Sequence, residues 1–476
     1  MPNLTQLRIA AREIFAETLR SVDASAAVRR AVHLEGSRLA ICETTIDIEN
    51  RNVYSISIGK AAFAMASALD EILDSRLAAG VIASNVPVYG AARSGDRIST
   101  RRDAGEPQAG MPALLSRWRI FRGGHPEPNE QSLAAARACF DLLEGANAER
   151  ALVVLLISGG GSAMLEWPIS NDITLSDLRL TNRALVTSGV SITEVNAVRR
   201  AFSAVKGGRL AARAPHCEQI TLIVSDVPPA EEANVASGPT LPPPKNAAGP
   251  QEVIRTYDLR SQLPNAVLRA IDIHANDSRA DPEARQMRRH FVLLDNQSAL
   301  EAAAKAARQS GFACEVARDI VDQPIEEGSH QLFLRLHLLC EQARGNRSPK
   351  GSTPAACLIS GGEFACPVRG NGIGGRNQET ALRLVIEYNN HRNRREQESN
   401  FVALCAGTDG IDGNSPAAGA IVDSTTLDRA EAIGLDPRDF LDRSDAYSFF
   451  IAIGDTITTG PTGTNVRDLR IMLATA

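Results

Sequence analysis

The sequence predicts an α/β protein of two domains, each with a largely parallel sheet flanked by helices. Three observations carry that expectation. The chain has 476 residues, too many for one ordinary hydrophobic core. Short apolar runs alternate with helical patterns along most of it, as parallel strands joined by crossover helices do. The ends of those runs hold the chain's unusual residues, and open α/β sheets place ligands beyond the carboxyl ends of strands.

In chain order, MPNLTQLRIAAREIFAETLRSV predicts an amphipathic helix, and VYSISIG (53–59) a strand running into the helix KAAFAMASALDEIL. AAGVIAS (78–84), ALVVLLISGGG (151–161) and QITLIVSDV (219–227) read as further strand-then-loop units. The second half repeats the pattern in HFVLLDN (290–296), AACLISGGE (355–363), FVALCAGTDG (401–410) and SFFIAIGDTI (448–457). AARSGDRISTRRDAGEPQAG (91–110) reads as a polar surface insertion, and NNHRNRREQES (389–399) as a solvated helix end or loop. The Pro-rich LPPPKNAAGP and the charged stretch after it mark a boundary within 241–290. An N-terminal domain over 1–265 and a C-terminal domain over 290–476 are therefore expected.

Composition excludes several classes. A net charge of −5 carries no nucleic-acid footprint, and no apolar run is long enough for a membrane span. Eight scattered cysteines without a CxxC pair predict reduced thiols and a cytoplasmic protein. The eight histidines form no HxH or HxxxH cluster, which argues against a metallohydrolase. Of 51 basic residues only five are lysines: Lys60, Lys206, Lys245, Lys305 and Lys350.

The loops then carry the chemistry. Ser158, Gly159, Gly160, Gly161 and Ser162 follow a buried strand and precede a helix, where free backbone N–H groups suit an anion; the alternative is a tight turn that binds nothing. Lys60 opens a helix after another buried strand. A compact ammonium there suits a phosphate or carboxylate, against the alternative of a solvated helix-start residue. Lys206 in VKGGRLA has the same rarity, although KGGR also suits a helix end. Arg376 starts a helix after Gly374 and Gly375, where a cation opposes the macrodipole unless an anion intervenes. Asp226, Asp409 and Asp412 follow strands and suit either a metal or a turn cap. His125 sits in the rigid turn GGHPEPN, and TGPTGTN presents Thr464 and Asn465. Donors, cations and carboxylates in this mixture suit phosphoryl transfer. The P-loop pattern GxxxxGK[ST] is absent, and GxGxxG matches at Gly370, Gly372 and Gly375 without a clean βαβ context.

Taken together, SIGKAA (57–62), GGHPEP (123–128), SGGGSAML (158–165), VRRAFSAVKGGRLA (198–211), SDV with ASGPT (225–240), ISGGE with GIGGRNQETAL (359–382), TDGIDG with AAGA (408–420) and TGPTGTN (459–465) resemble class II glycerate 2-kinases. This is the MOFRL or glycerate kinase-2 type, some members of which carry an older hydroxypyruvate reductase label. The resemblance runs in order from about residue 8 to the end. It implies ATP-dependent phosphorylation of D-glycerate at the 2-hydroxyl, with Mg²⁺, in a cleft between two α/β domains. It also implies an essential lysine at Lys60, an essential arginine at Arg376 and an acidic partner at Asp226, the candidate Mg²⁺ ligand.

Ser158 to Ser162, Lys206, Gly374, Gly375 and Asn377 are the expected phosphate-binding residues. Asp409, Asp412, His125, Glu363, Thr464 and Asn465 are expected to serve substrate or metal. The partners expected are D-glycerate and ATP, with no nucleic acid or membrane, in a monomer or homodimer. The chain departs from the family pattern at Pro228–Glu232, where Gly-Asp is common, and at Phe364 and Ala365, which replace hydroxyls. The alternatives are an NAD(P)H-dependent hydroxypyruvate reductase, resting on GxGxxG, and a binding protein that has lost catalysis.

Overall fold

The structure is a computed structural model that describes residues 2–85, 116–244, 246–274, 287–345, 355–395 and 400–475. The expected insertion at 91–110, Lys245 and Lys350 lie outside them. The chain divides into two compact units, one over Ala24–Leu293 and one over Leu294–Ala476 together with the residues up to Asp23.

The N-terminal unit begins with a small antiparallel sheet that the sequence reading did not contain: β1 (Val32–Glu35), β2 (Arg38–Ile41) and β3 (Thr44–Asp47). Its main sheet contains β4 (Val53–Ile58), β5 (Leu77–Ser84), β6 (Trp118–Arg122), β7 (Leu152–Ser158), β8 (Glu218–Val224) and β9 (Arg288–Leu294). The spatial order is β6-β5-β4-β7-β8-β9, and the pairs from β6 to β8 are parallel. The chain runs outward in one direction from β4 and then returns to start again at β7. That reversal makes the gap between the carboxyl ends of β4 and β7 the topological switch point, where doubly wound sheets bind ligands. β7 is buried along its whole length, as a central parallel strand covered on both faces must be. Alternation along the strands sends Ile56, Ile58, Val153, Leu155 and Ile157 into one apolar layer with the helix Glu130–Ala148.

The C-terminal unit contains β10 (Ala313–Ala317), β11 (Ala356–Gly362), β12 (Phe401–Gly407), β13 (Gly419–Asp423), β14 (Thr456–Ile457) and β15 (Asp468–Ala474), in the order β10-β11-β15-β12-β13-β14. This sheet is mixed, not largely parallel as expected. Only β10 and β11 pair in parallel; the other four pairings are antiparallel. The cause is β15, the last strand, which inserts between β11 and β12 and runs against both. A second correction concerns SFFIAIGDTI, expected as a strand. It forms the helix Ala446–Ile453, closed by Gly454 in the left-handed region, and only Thr456–Ile457 is strand. Short apolar runs do not distinguish buried helix from strand by periodicity.

The first helix, Leu4–Ser21, belongs to this unit and not to an N-terminal domain over 1–265. Its stripe Leu7, Ala11, Ile14 and Phe15 packs into one apolar layer with the helix Asn296–Gln309 and the face of the mixed sheet. Arg8 bridges the buried carboxylates of Asp423 and Asp455, and Arg429 reaches the same pair. The helix Arg376–Arg395 ends within the polar stretch 389–399, read as a helix end or loop.

Candidate active site

In the N-terminal unit the loops after β4 and β7 are stitched together at the switch point. The Lys60 backbone N–H donates to the Gly159 carbonyl at 2.9 Å, and the Ala61 N–H donates to Ser158 Oγ at 3.0 Å. Ser158 Oγ in turn donates to the Ile58 carbonyl at 3.2 Å. Ser158 is buried, with its hydroxyl held by these bonds, so it clamps the two loops and does not face a ligand as expected.

Two glycines have specific physical reasons. A Cβ on Gly159 would lie 1.9 Å from Asp226 Oδ2, so the carboxylate of Asp226 occupies the space a side chain would take. Gly160 has φ +78°, in the left-handed region, and its vacant Cβ position lies 3.1 Å from Lys60 Cγ and 3.3 Å from His125 Cδ2. Lys60, His125 and Asp226 thus converge on the SGGGS loop from three separate strand ends. Lys60, Gly160, Ser162 and Asp226 are half-buried and His125 is exposed, while Gly159 and Gly161 are covered. The Ser162 hydroxyl shares a 2.8 Å hydrogen bond with Ser237 Oγ, which donates to Asn196 Oδ1 at 2.7 Å.

Lys206, expected at a phosphate, is placed otherwise. Its ammonium is buried, ion-paired with Glu166, and donates to the Ser162 carbonyl at 2.9 Å. Burial lowers its pKa and Glu166 opposes that. Glu166 is further held by Ser203 Oγ at 2.5 Å. Lys206 therefore fixes the back of the glycine-loop helix from inside the core.

The C-terminal unit presents a second cluster around the start of β15. Asp468 lies in register between Gly362 at the end of β11 and Gly407 at the end of β12. Arg376 Nε donates to Asp468 Oδ2 at 2.7 Å, and Arg376 Nη2 lies 2.9 Å from Glu363 Oε1. Burial disfavours the Arg376 charge, but Asp468 and Glu363 outweigh it and raise its pKa. The side chain remains 36% exposed, so one edge of the guanidinium faces outward.

The helix N-terminus beneath Arg376 is not open to a phosphate, contrary to the expectation for Gly374, Gly375 and Asn377. Asp412 fills it: Oδ1 accepts from the Asn377 N–H at 3.0 Å, and Oδ2 accepts from the Gln378 N–H at 2.9 Å. Gly375 is needed there, since a Cβ would lie 2.3 Å from Asp412 Oδ1. Asn377 is buried and donates through Nδ2 to both Asp412 and Asp468. Burial pushes the Asp412 carboxyl up to about 7, against the helix N–H bonds that hold it down, and the charge of Asp468 adds to the rise. Asp412 is thus a helix cap rather than a substrate or metal ligand. The GxGxxG match loses its meaning for the same reason, because a dinucleotide pyrophosphate needs that helix end.

Asp409 is half-buried and accepts from the Ile411 N–H at 3.1 Å. Its backbone carbonyl accepts from the Thr462 N–H at 3.1 Å, which joins TDGIDG to TGPTGTN. Thr464 is buried, and Asn465 Oδ1 accepts from the Arg467 N–H at 3.1 Å.

Sequence reasoning missed Asp468, Asn296, Asp322 and Arg467. Asn296 is buried; its Nδ2 donates to the carbonyls of Val466 and Asp468, and its Oδ1 accepts from the Gly362 N–H at 2.9 Å. It ties the end of β11 to the start of β15. Arg467 pairs with Asp322, which also accepts from the Glu363 N–H at 3.0 Å. A signal existed for two of them: Asn296 closes LLDN and Asp468 opens DLRIMLA, both polar residues at the end of an apolar run.

A doubly wound sheet whose switch point gathers a lysine, a carboxylate and a glycine loop has the arrangement in which open α/β proteins place a ligand site. Comparison with known proteins makes the class specific. Residues 10–272 match the family described as "Domain of unknown function (DUF4147)", and residues 356–468 match the MOFRL family. The D-glycerate 2-kinase of Thermotoga maritima is 31% identical over 449 residues, covering 94% of this chain and 96% of that protein. A crystal structure of glycerate kinase (EC 2.7.1.31) from Thermotoga maritima matches with a TM-score of 0.74 at 30% identity, covering 98% of this chain and 99% of that one. An Agrobacterium vitis relative, provisionally named a hydroxypyruvate reductase, is 34% identical over 463 residues, covering 96% of each. The chain belongs to this MOFRL-containing glycerate kinase family.

Proposed function

We propose that this protein transfers the γ-phosphoryl group of ATP to the 2-hydroxyl of D-glycerate, giving 2-phosphoglycerate and ADP. The observation that carries the reading is Lys60 at the switch point, with Asp226 against Gly159 and His125 beside Gly160, in a chain alike over nearly its whole length to named glycerate kinases.

Lys60 supplies positive charge to phosphate oxygens, and the half-buried Gly160 and Ser162 let the phosphate approach the backbone closely. Asp226 takes the proton leaving the glycerate hydroxyl or holds the metal. Arg376 presents the outward edge of a guanidinium already oriented by Asp468 and Glu363, a fork suited to two oxygens of a phosphate or carboxylate.

The residues fit Mg²⁺ as kinases use it, held by one or two carboxylates and the substrate phosphates. Among the described residues no three His, Cys, Asp or Glu side chains converge on a metal. Asp226 is the side chain that would hold the ion, which when bound neutralises phosphate charge. Asp409 and Asn465, half-buried on the joined loops, are the remaining candidates for substrate contact. The eight free cysteines suit a reducing, cytoplasmic setting for a monomer or homodimer.

The test is regiochemical. Purified protein with ATP, Mg²⁺ and D-glycerate is expected to form a product that enolase dehydrates directly. A signal that appears only when phosphoglycerate mutase is added means a 3-phosphate product and defeats the proposal. With hydroxypyruvate and NADH, no cofactor oxidation is expected.

A further inference from the structure

The proposed reaction uses none of the cysteines, yet two of them stand side by side. β10 and β11 pair in parallel with Cys314 directly opposite Cys357. Partners in register on parallel strands point to the same face, and both thiols enter the apolar layer that includes the helix Asn296–Gln309. Neighbouring strands lie about 4.8 Å apart, inside the Cα separation of roughly 4.4–6.8 Å that a disulfide spans. Each thiol acts on the other: Cys357 lowers the Cys314 pKa, and Cys314 raises that of Cys357. The Cys314 S–H lies 3.9 Å from the carbonyl of Glu315.

We propose that Cys314 and Cys357 are a site of oxidative modification, a dithiol that closes to an intrachain disulfide when the protein meets a peroxide. The two sulfurs have different exposure and different roles. Cys314 is half-buried on an edge strand, within reach of a small oxidant, whereas Cys357 is fully covered. The Cys357 hydrogen bond lowers the Cys314 pKa, burial opposes that, and Arg308 assists it. Cys357 is pushed the other way and keeps its proton.

In the first step the Cys314 thiolate attacks one oxygen of hydrogen peroxide; the O–O bond breaks, hydroxide leaves and Cys314 becomes a sulfenic acid. In the second, the Cys357 sulfur attacks the Cys314 sulfur; the S–O bond breaks, and water leaves carrying the Cys357 proton. The sum is two thiols and one peroxide giving one disulfide and two waters. Parallel partners hold their Cβ atoms near the strand spacing, wider than the mean of about 3.8 Å in disulfides, so the bond is one that a dithiol reductant reopens readily.

Cys42 is the internal control. It is the exposed cysteine, and burial of its sulfur together with Glu43 raises its pKa. The experiment treats the full-length protein with graded hydrogen peroxide, blocks the remaining thiols and maps the peptides by mass spectrometry. The expected result is a Cys314–Cys357 cross-linked peptide lighter by two hydrogens. It forms at least about 10-fold faster than Cys42 oxidises, as thiolate fraction governs the rate, and dithiothreitol reverses it. Cys314→Ser abolishes the cross-link. Cys357→Ala leaves a sulfenic acid at Cys314 that dimedone traps, which keeps the proposal testable if one variant folds poorly. Cys42 oxidising first, or Cys314 passing to sulfinic acid with no cross-link, overturns it.

Discussion

Lys60 and Arg376 are both cations at strand-to-helix junctions, but the chain holds them differently. The Lys60 backbone N–H bonds to the Gly159 carbonyl, a link between the loops that truncating the side chain retains. Lys60→Ala is therefore expected to lower kcat by at least about 100-fold, the scale of losing one preorganised charge at the transition state. Its thermal midpoint should stay close to that of the parent. Near-normal steady-state turnover in the variant would remove Lys60 from the mechanism. Arg376 is held through the side chain itself, with Nε on Asp468 and Nη2 on Glu363. A lysine has the same charge but no planar fork, and it cannot reach both carboxylates while presenting a third edge. Arg376→Lys should fall well short of wild type. If the outward edge acts in the transition state, kcat drops with little change in KM for glycerate; if it anchors the ground-state carboxylate, KM rises instead. Wild-type values for both constants would leave Arg376 a structural residue only.

The element that matters most is the strand–glycine–helix turn after β7. Ser158 clamps it to the turn after β4, Lys206 holds its helix from below, and Gly159 leaves room for Asp226. Gly159→Ala puts a methyl group where the Asp226 carboxylate lies, and the Gly159 carbonyl is tied to the Lys60 N–H, so it is the carboxylate that must move. Activity should fall by about 100-fold through misplacement of one catalytic group. Gly189→Ala is the matched control: Gly189 also has a left-handed backbone, φ +72°, but open space around its Cβ position. It should lose about 1 kcal/mol of stability and keep its kcat. Equal kinetic losses in the two variants, measured beside urea melts, would show that the Gly159 effect is not specific to Asp226.

Across the whole molecule, stability should respond to pH through the buried cap of the helix Arg376–Arg395. Asp412 titrates near 7 when folded, far above the ordinary carboxyl value. Between those values the folded chain retains a proton that the unfolded chain releases. Its contribution to stability therefore falls as pH rises through that window and levels off above it. Asp423 and Glu218, whose folded pKa values are depressed, act with the opposite sign: they stabilise above the unfolded carboxyl range and lose this as pH falls. The difference between wild type and Asp412→Asn isolates the first effect. Chemical melts at about pH 5 and about pH 8 should show wild type losing more stability across that interval than the variant does. Identical slopes would mean that Asp412 is ionised throughout.

The motifs of the candidate site were legible in the sequence because they are local. A strand that ends in a tight turn carries glycines, and a chain with five lysines that places Lys60 at such an end makes it a candidate. The alternation at β4, β5, β7 and β8 was equally readable, since a short apolar run there carries its own local signal, whereas β1, β2, β3 and β6 were not read. The tertiary structure alone decided what depends on partners far apart in the chain. The mixed order of the second sheet follows from β15 returning between β11 and β12, a pairing with no local signature. The attachment of the first helix to that unit rests on Arg8 meeting Asp423 and Asp455, more than 400 positions away. Lys206 and Asp412 have the residue types of ligand-binding groups and lie in ligand-binding motifs, yet burial assigns one to Glu166 and the other to a helix end. Sequence sets which charges and turns are available; whether a charge faces a ligand or another side chain is settled by which surfaces are buried against each other. That depends on contacts whose free energy no single segment contains.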